Sequence, residues 1–222
     1  MDVSIARRKQ RGYDMFGNLY DEALTGERCW LRHDDGSVHG LPVHRWLGRR
    51  ADNAFDNAVL GLCDGPTIDL GCGPGRFVAH LVRRGVPALG VDQSATAVEL
   101  ARRRGAPALR RDVFDPLPGT GRWSTVLLAD GNVGLTGDPR RVLHRAGELL
   151  RAGGRCVTEI DEKTEDVIVR WVRLESSRTI GPWFRWATVG LDGARRVADE
   201  VGLTLSAVDR IGGRVLATLA AA

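Results

Sequence analysis

The sequence predicts an α/β domain built on a doubly wound, mainly parallel sheet. Three observations carry this. Short apolar, β-branched runs alternate with amphipathic helical stretches through the middle of the chain. A glycine turn, Gly71-x-Gly73-x-Gly75, directly follows the first of these runs and opens a helical pattern. Acids close the successive runs, with Asp69, Asp92, Asp112 and Asp130 at the ends of the first four.

Residues 1 to about 43 read as irregular, polar and rich in Gly and His. Residues 44–60 read as one helix, with Trp46, Leu47, Ala51, Ala54, Phe55, Ala58 and Val59 on its apolar stripe. The break at 63–66, Cys-Asp-Gly-Pro, leads into a first strand over 67–70 and a helix over about 76–84 that Gly85 stops. The second strand is 88–91. Its helix starts after Ser94, a good N-cap, and ends before Gly105. A short third strand covers 109–111.

The run at 123–129 is apolar throughout, as befits a central strand buried on both faces. Asp138-Pro139 opens a helix that runs to Leu150, closed by Gly153-Gly154. A fifth strand covers 155–160. Residues 167–172 favour strand by β-branching, with helix as the alternative. Residues 191–201 read as helix, and 203–208 with 214–219 as a closing hairpin around Gly212-Gly213. With no repeat, linker or low-complexity tract, the chain reads as one domain. In it, residues 1–60 form an N-terminal lid and helix, 62–222 a ligand-binding core, and the stretch near 163–190 an insertion.

Composition narrows the class. The 222 residues are 43% hydrophobic and 27% charged, which suits a globular chain with a sizeable core. Net charge is +4, and only two of the 32 basic residues, Lys9 and Lys163, are lysines. The arginines fall in scattered pairs and triplets, mostly late in helices or on their outer faces. That pattern suits solvent and the helix dipole better than a nucleic-acid groove, and argues against a nucleic-acid partner. No apolar run approaches the ~20 residues that cross a bilayer, so no membrane is expected. Residues 1–10 lack the apolar core of a secretory leader. Cys29, Cys63, Cys72 and Cys156 show no C-x-x-C spacing, consistent with free thiols in a reducing cytoplasm.

The glycine turn and the acids point to a nucleoside-containing ligand. Glycines at alternate positions let the backbone lie against a ligand. Asp92 stands nineteen residues after Gly73, where a ribose diol is held in a doubly wound sheet. The spacing differs from the dinucleotide fingerprint G-x-G-x-x-G, and Asp69 would repel a pyrophosphate while accepting an ammonium group.

The stretch from Thr67 to Phe77 resembles motif I of the class I S-adenosylmethionine-dependent methyltransferases, and the resemblance covers about residues 62–160. It implies a seven-stranded Rossmann-like fold whose antiparallel last strand is the C-terminal hairpin. It also implies S-adenosyl-L-methionine as cofactor. The backbone of Gly71, Cys72 and Gly73 would contact the methionyl part, with Asp69 near its ammonium. Asp92 would take the ribose hydroxyls, with Gln93 beside it. Asp112 would take the adenine amino group, the Val113 backbone would read the ring, and Val113 or Phe114 would cover its face. Ala129 and Asp130 would lie under the sulfonium. Tyr13 and Tyr20 resemble the paired tyrosines that open many small-molecule methyltransferases, where they lie over the cofactor; anchoring of an N-terminal helix is the alternative.

Methyl transfer asks for an in-line nucleophile and a site without competing water, with a general base for acceptors that must lose a proton. Candidate bases are Asp130 and Glu159, with Asp161 and the histidines behind them. The His33, Asp34, Asp35, His39, His44 group fits no familiar zinc spacing, and no metal is expected. Trp183, Phe184 and Trp186 could wall an acceptor pocket. The reading is methyl transfer to an O, N or C nucleophile of a small molecule by a monomer or homodimer. The alternatives are an RNA or protein methyltransferase, or a silent cofactor-binding module.

Overall fold

A computed structural model of the chain describes residues 18–48 and 53–221. A seven-stranded sheet has the order β10-β11-β7-β6-β3-β4-β5. Its members are β3 (Thr67–Leu70), β4 (Ala88–Asp92), β5 (Ala108–Arg110), β6 (Trp123–Leu128), β7 (Leu150–Ile160), β10 (Leu203–Ile211) and β11 (Arg214–Ala221). The strands from β7 to β5 pair in parallel, and the hairpin β10–β11 joins β7 antiparallel. This is the doubly wound sheet with an antiparallel closing hairpin that the sequence predicts. The switch point lies at β3, where the chain turns from β4 and β5 on one side to β6 and β7 on the other.

The strand alternation sorts the core into two layers. Val126 and Leu128 of β6 join Val142, Leu143 and Ala146 of α6 (Pro139–Leu149) and Ala194, Val197 and Ala198 of α7 (Leu191–Glu200). Leu127 of β6, with Val157 and Leu216, faces the other way onto Phe55 and Val59 of α3 (Asn53–Leu62) and Phe77 and Leu81 of α4 (Arg76–Arg83). Side chains of period two therefore feed both helical layers, which is why these strands are apolar without a break. The caps fall as expected. Ser94 Oγ accepts the Ala97 N–H at the head of α5 (Ala95–Arg103), and Asp138 accepts the Arg141 N–H before α6.

Outside this sheet the structure corrects several expectations. Residues 1 to about 43 are not irregular where they are described: α1 (Leu19–Thr25), β1 (Cys29–His33) and β2 (Val38–Gly40) form there. The predicted single helix over 44–60 is α2 (Val43–Trp46) and then α3, with Gly48 between them in the left-handed region at φ 64°. The stretch near 167 is strand, β8 (Val167–Ser176), followed by β9 (Phe184–Val189). The fifth strand begins at Leu150 rather than 155.

These parts assemble into a second sheet, antiparallel throughout, of order β2-β1-β8-β9. The lid and the insertion, distinct in the sequence, thus share one sheet, with β1 zipped along β8 from Cys29↔Ser176 to His33↔Val172. Leu19 and Ala23 of α1 pack on Cys29, Val172, Leu174 and Phe184. Glu175 is the polar tie of this sheet. It is buried and accepts hydrogen bonds from Trp30 Nε1 at 2.8 Å, Arg32 Nε at 2.8 Å and Arg173 Nε at 2.7 Å.

Candidate active site

The carboxyl ends of β3, β4, β6 and β7 open into a cavity of about 590 Å³, closed opposite by α1, α2 and the second sheet. The glycine turn forms its floor. Gly71 has φ 77°, and a Cβ there would lie 2.5 Å from Asn132 Nδ2. That amide instead donates to the carbonyls of Leu70 at 3.0 Å and Gly71 at 2.9 Å, fixing the turn. A Cβ on Gly73 would reach to 3.2 Å of the Tyr20 hydroxyl, so the bare backbone leaves that gap open. Cys72 turns its thiol inward among Val78, Val98 and Ala101, so it can offer the cavity only its backbone.

Asp92 bridges the turn and the next helix. Its Oδ2 accepts the Gly73 N–H at 2.8 Å and its Oδ1 the Ser94 N–H at 2.9 Å. Burial raises its pKa to about 6, against the pull of those two N–H donors. The neighbouring Gln93 lines the cavity with its Oε1 buried and unpartnered. Asp69 is 2% exposed, and burial raises its pKa to about 8, with the Asp130 and Asp92 charges adding to the shift and Arg76 opposing it. Its carboxyl therefore carries a proton near neutrality, and a cation beside it would pull that proton off. Tyr20 lines the cavity with its ring edge-on to Trp46 at 5.7 Å; burial, then the charge of Asp92, raises its pKa well above the usual phenol value.

The remaining sequence-predicted residues divide. Val113, Phe114 and Ala129 line the cavity, and Arg141 stacks over the Phe114 ring at 3.8 Å. Asp112 is not among the lining residues; its Oδ1 accepts the Phe114 N–H at 3.0 Å in a local turn. Tyr13 lies outside the described residues. Among the described residues, no group of three or more His, Cys, Asp and Glu is arranged to hold a metal ion.

Asp130 and Glu159 both line the cavity, held by arginines. Arg76 pairs with Asp56 and, at 2.7 Å, with Asp130. Arg214 donates to Asp130 at 2.8 Å and forks onto both oxygens of Glu159 at 2.7 Å. Glu159 also accepts the Asp130 N–H at 2.8 Å. The two guanidiniums stack over Phe77 and Phe55. Sequence reasoning missed this network. A single arginine at the apolar start of α4 was the one local signal, since Arg214 comes from the far hairpin.

Sequence reasoning also missed Thr136. It lies in a 3-10 segment, Asn132–Gly137, that packs against β9. Asp130 and Thr136, at φ 52° and 60°, are the two non-glycine residues with positive φ among the described residues, and both line the cavity. The Thr136 hydroxyl is buried without a partner. One cavity wall thus combines two positive-φ residues with an unpaired buried hydroxyl. Phe184 and Trp186 line the same wall, while Trp183 faces away, exposed and stacked under Arg173.

A family model described as a methyltransferase domain matches residues 68–154, the stretch holding the glycine turn, Asp92 and Asp130. The fold matches that of an S-adenosylmethionine-dependent methyltransferase from Bacteroides fragilis, solved with S-adenosyl-L-homocysteine. The TM-score is 0.76 at 18% identity, over 95% of this chain and 96% of that one. The chain thus carries a methyltransferase-domain match over its central stretch and the fold of the class I S-adenosylmethionine-dependent methyltransferases. Among its relatives, the magnesium-protoporphyrin O-methyltransferase of Rhodobacter capsulatus is 27% identical over 169 residues, spanning 72% of this chain and 70% of that protein. The 1,6-didemethyltoxoflavin-N1-methyltransferase of Burkholderia thailandensis shares the fold at a TM-score of 0.60 and 18% identity, over 81% of this chain and 84% of that one.

The residues that line the cavity fit S-adenosylmethionine. The unpartnered Gln93 oxygen and the remaining lone pairs of Asp92 stand ready for hydroxyl or amino donors, and Gly73 leaves backbone room beneath Tyr20.

Proposed function

We propose that this methyltransferase transfers the methyl group of S-adenosylmethionine to an O, N or C nucleophile of a small molecule. We place the reaction in the cytoplasm, carried out by a monomer or homodimer in which the two sheets form one working unit. The observation that carries the reading is a single cavity with two unlike ends. One end holds the glycine turn, Asp92 and Gln93; the other is walled by Leu174, Phe184, Trp186 and Val189. Two relatives bear names of methyltransferases acting on heterocyclic small molecules, which supports the acceptor class.

In this reading Asp92 and Gln93 hold the ribose, Val113 and Phe114 face the adenine, and Asp69 meets the ammonium. The backbone of Gly71, Cys72 and Gly73 lies along the methionyl part, and Tyr20 closes over it. Asp112 shapes the turn that presents Val113 and Phe114. Bound there, the cofactor would supply an electrophilic methyl group, so the chain's own residues need to align the acceptor and exclude water. Tyr20, Trp46 and the β1–β2 hairpin roof the cavity and do the excluding.

Asp130 and Glu159 act as positioning residues. Arg76 and Arg214 hold both carboxylates in place, a firm support for the positive-φ backbone of Asp130. The test is transfer of labelled methyl from S-adenosylmethionine across a panel of phenols, carboxylic acids and heterocyclic amines. Labelled product from a small acceptor is the expected result. Label reaching only RNA or protein would overturn the acceptor class.

A further inference from the structure

The acceptor end of the cavity carries one feature that the proposed reaction does not use. Its walls are apolar and aromatic, with Leu31, Leu41, Leu174, Phe184 and Trp186 among them. Three arginines line the cavity as a whole. Arg76 is held by Asp56 and Asp130, and Arg110 donates its Nε to the Gln93 carbonyl at 3.3 Å. Arg45, on α2 at the roof, is half-buried, and its guanidinium has no hydrogen-bond or ion-pair partner among the described residues.

Four of the six acids that line the cavity are engaged elsewhere. Asp130 and Glu159 are taken by Arg76 and Arg214, Asp21 accepts the Ser94 hydroxyl, and Asp161 Oδ1 accepts the N–H groups of Lys163 and Thr164. A half-buried guanidinium has lost part of its hydration, and its planar fork matches carboxylate-like oxygens. Binding sites of this kind are mostly apolar, with a few polar groups that fix orientation.

We propose that the acceptor is a flat, largely apolar molecule bearing an anionic oxygen, and that Arg45 holds that anion. The aromatic walls select the flat apolar body, and Arg45 sets which edge of it faces the roof. This rests on the acceptor-site reading above and goes beyond it by naming the charge the acceptor carries and the residue that reads it.

The experiment uses the protein saturated with S-adenosylhomocysteine and follows quenching of its tryptophan emission by two matched probes, 1-pyrenecarboxylate and 1-pyrenemethanol. The wild type should bind the carboxylate at least about tenfold more tightly than the alcohol. Arg45→Gln should abolish that preference and Arg45→Lys should keep most of it, with the calorimetric affinity for S-adenosylhomocysteine unchanged in both. Equal affinities in the wild type, failure to bind either probe, or a preference that survives Arg45→Gln would overturn the proposal. So would a tenfold loss of S-adenosylhomocysteine affinity in Arg45→Gln, which would assign Arg45 to the cofactor's own carboxylate. A wild type that does not bind S-adenosylhomocysteine sinks the cofactor reading itself; binding without a carboxylate preference sinks only this inference.

Discussion

At Gly75 the backbone stands at φ 73°, and a Cβ built there would lie 2.7 Å from the Ala101 Cβ and 2.9 Å from that of Ala106. The three alternating glycines read as one motif but have three separate jobs: Gly71 makes room for Asn132, Gly73 leaves backbone room beneath Tyr20, and Gly75 seats α4 against α5. Gly75→Ala combines left-handed strain of ~1–2 kcal/mol with overpacking of ~1–3 kcal/mol, a loss of about 2–5 kcal/mol in urea unfolding. An unchanged midpoint would mean that α4 moves freely away from α5. Single residues were the most legible scale. Asp92 could be named from its spacing alone because its place depends on a strand and a turn that are local in sequence. The protonated state of Asp69 was not legible, because burial sets it and burial is a property of the assembled sheet.

Elements were legible where both partners lie close together in the chain. The β3–α4–β4 unit falls where the sequence puts it, because each apolar run and cap acts on its neighbours. The second sheet was not legible: β1 is five residues long and pairs with a strand some 140 positions away, as Trp30 with Glu175 illustrates. No local pattern marks such a pairing.

Glu175 is the element-scale test of that pairing. Hydrogen bonding from Arg32, helped by Trp30 and Arg173 and opposed by burial, lowers its pKa from 4.5 to about 2. The unfolded chain therefore binds this proton more readily than the folded one. The stabilisation is complete above the unfolded value and is lost as pH falls from about 4.5 to 2. Glu175→Gln should be less stable than the wild type at pH 7, and the gap should close as the pH approaches 2. Urea unfolding at a series of pH values reads this, and a gap independent of pH would mean that Glu175 keeps its proton in the folded sheet.

At the scale of the whole molecule, the two sheets divide the labour around one cavity. The parallel sheet brings its strand ends, and with them Asp69, Asp92 and Asp130, to a common edge. The antiparallel sheet supplies the apolar wall opposite, and α2 brings Arg45, whose guanidinium has no partner among the described residues. Arg76 and Arg214, from opposite ends of the core, meet at Asp130, so the floor of the cavity depends on the complete fold. Beyond Arg76 at the apolar start of α4, that network has no sequence signature, since its members are far apart in the chain.

The most direct measurement of the central claim is calorimetric titration of S-adenosylhomocysteine into the wild type and Asp92→Ala. The account predicts one bound ligand per chain in the wild type and at least about tenfold weaker binding in the variant, given that a charged hydrogen bond is worth ~1.5–3 kcal/mol. Unchanged affinity in Asp92→Ala, or a wild type that ignores S-adenosylhomocysteine and binds NAD, would contradict it.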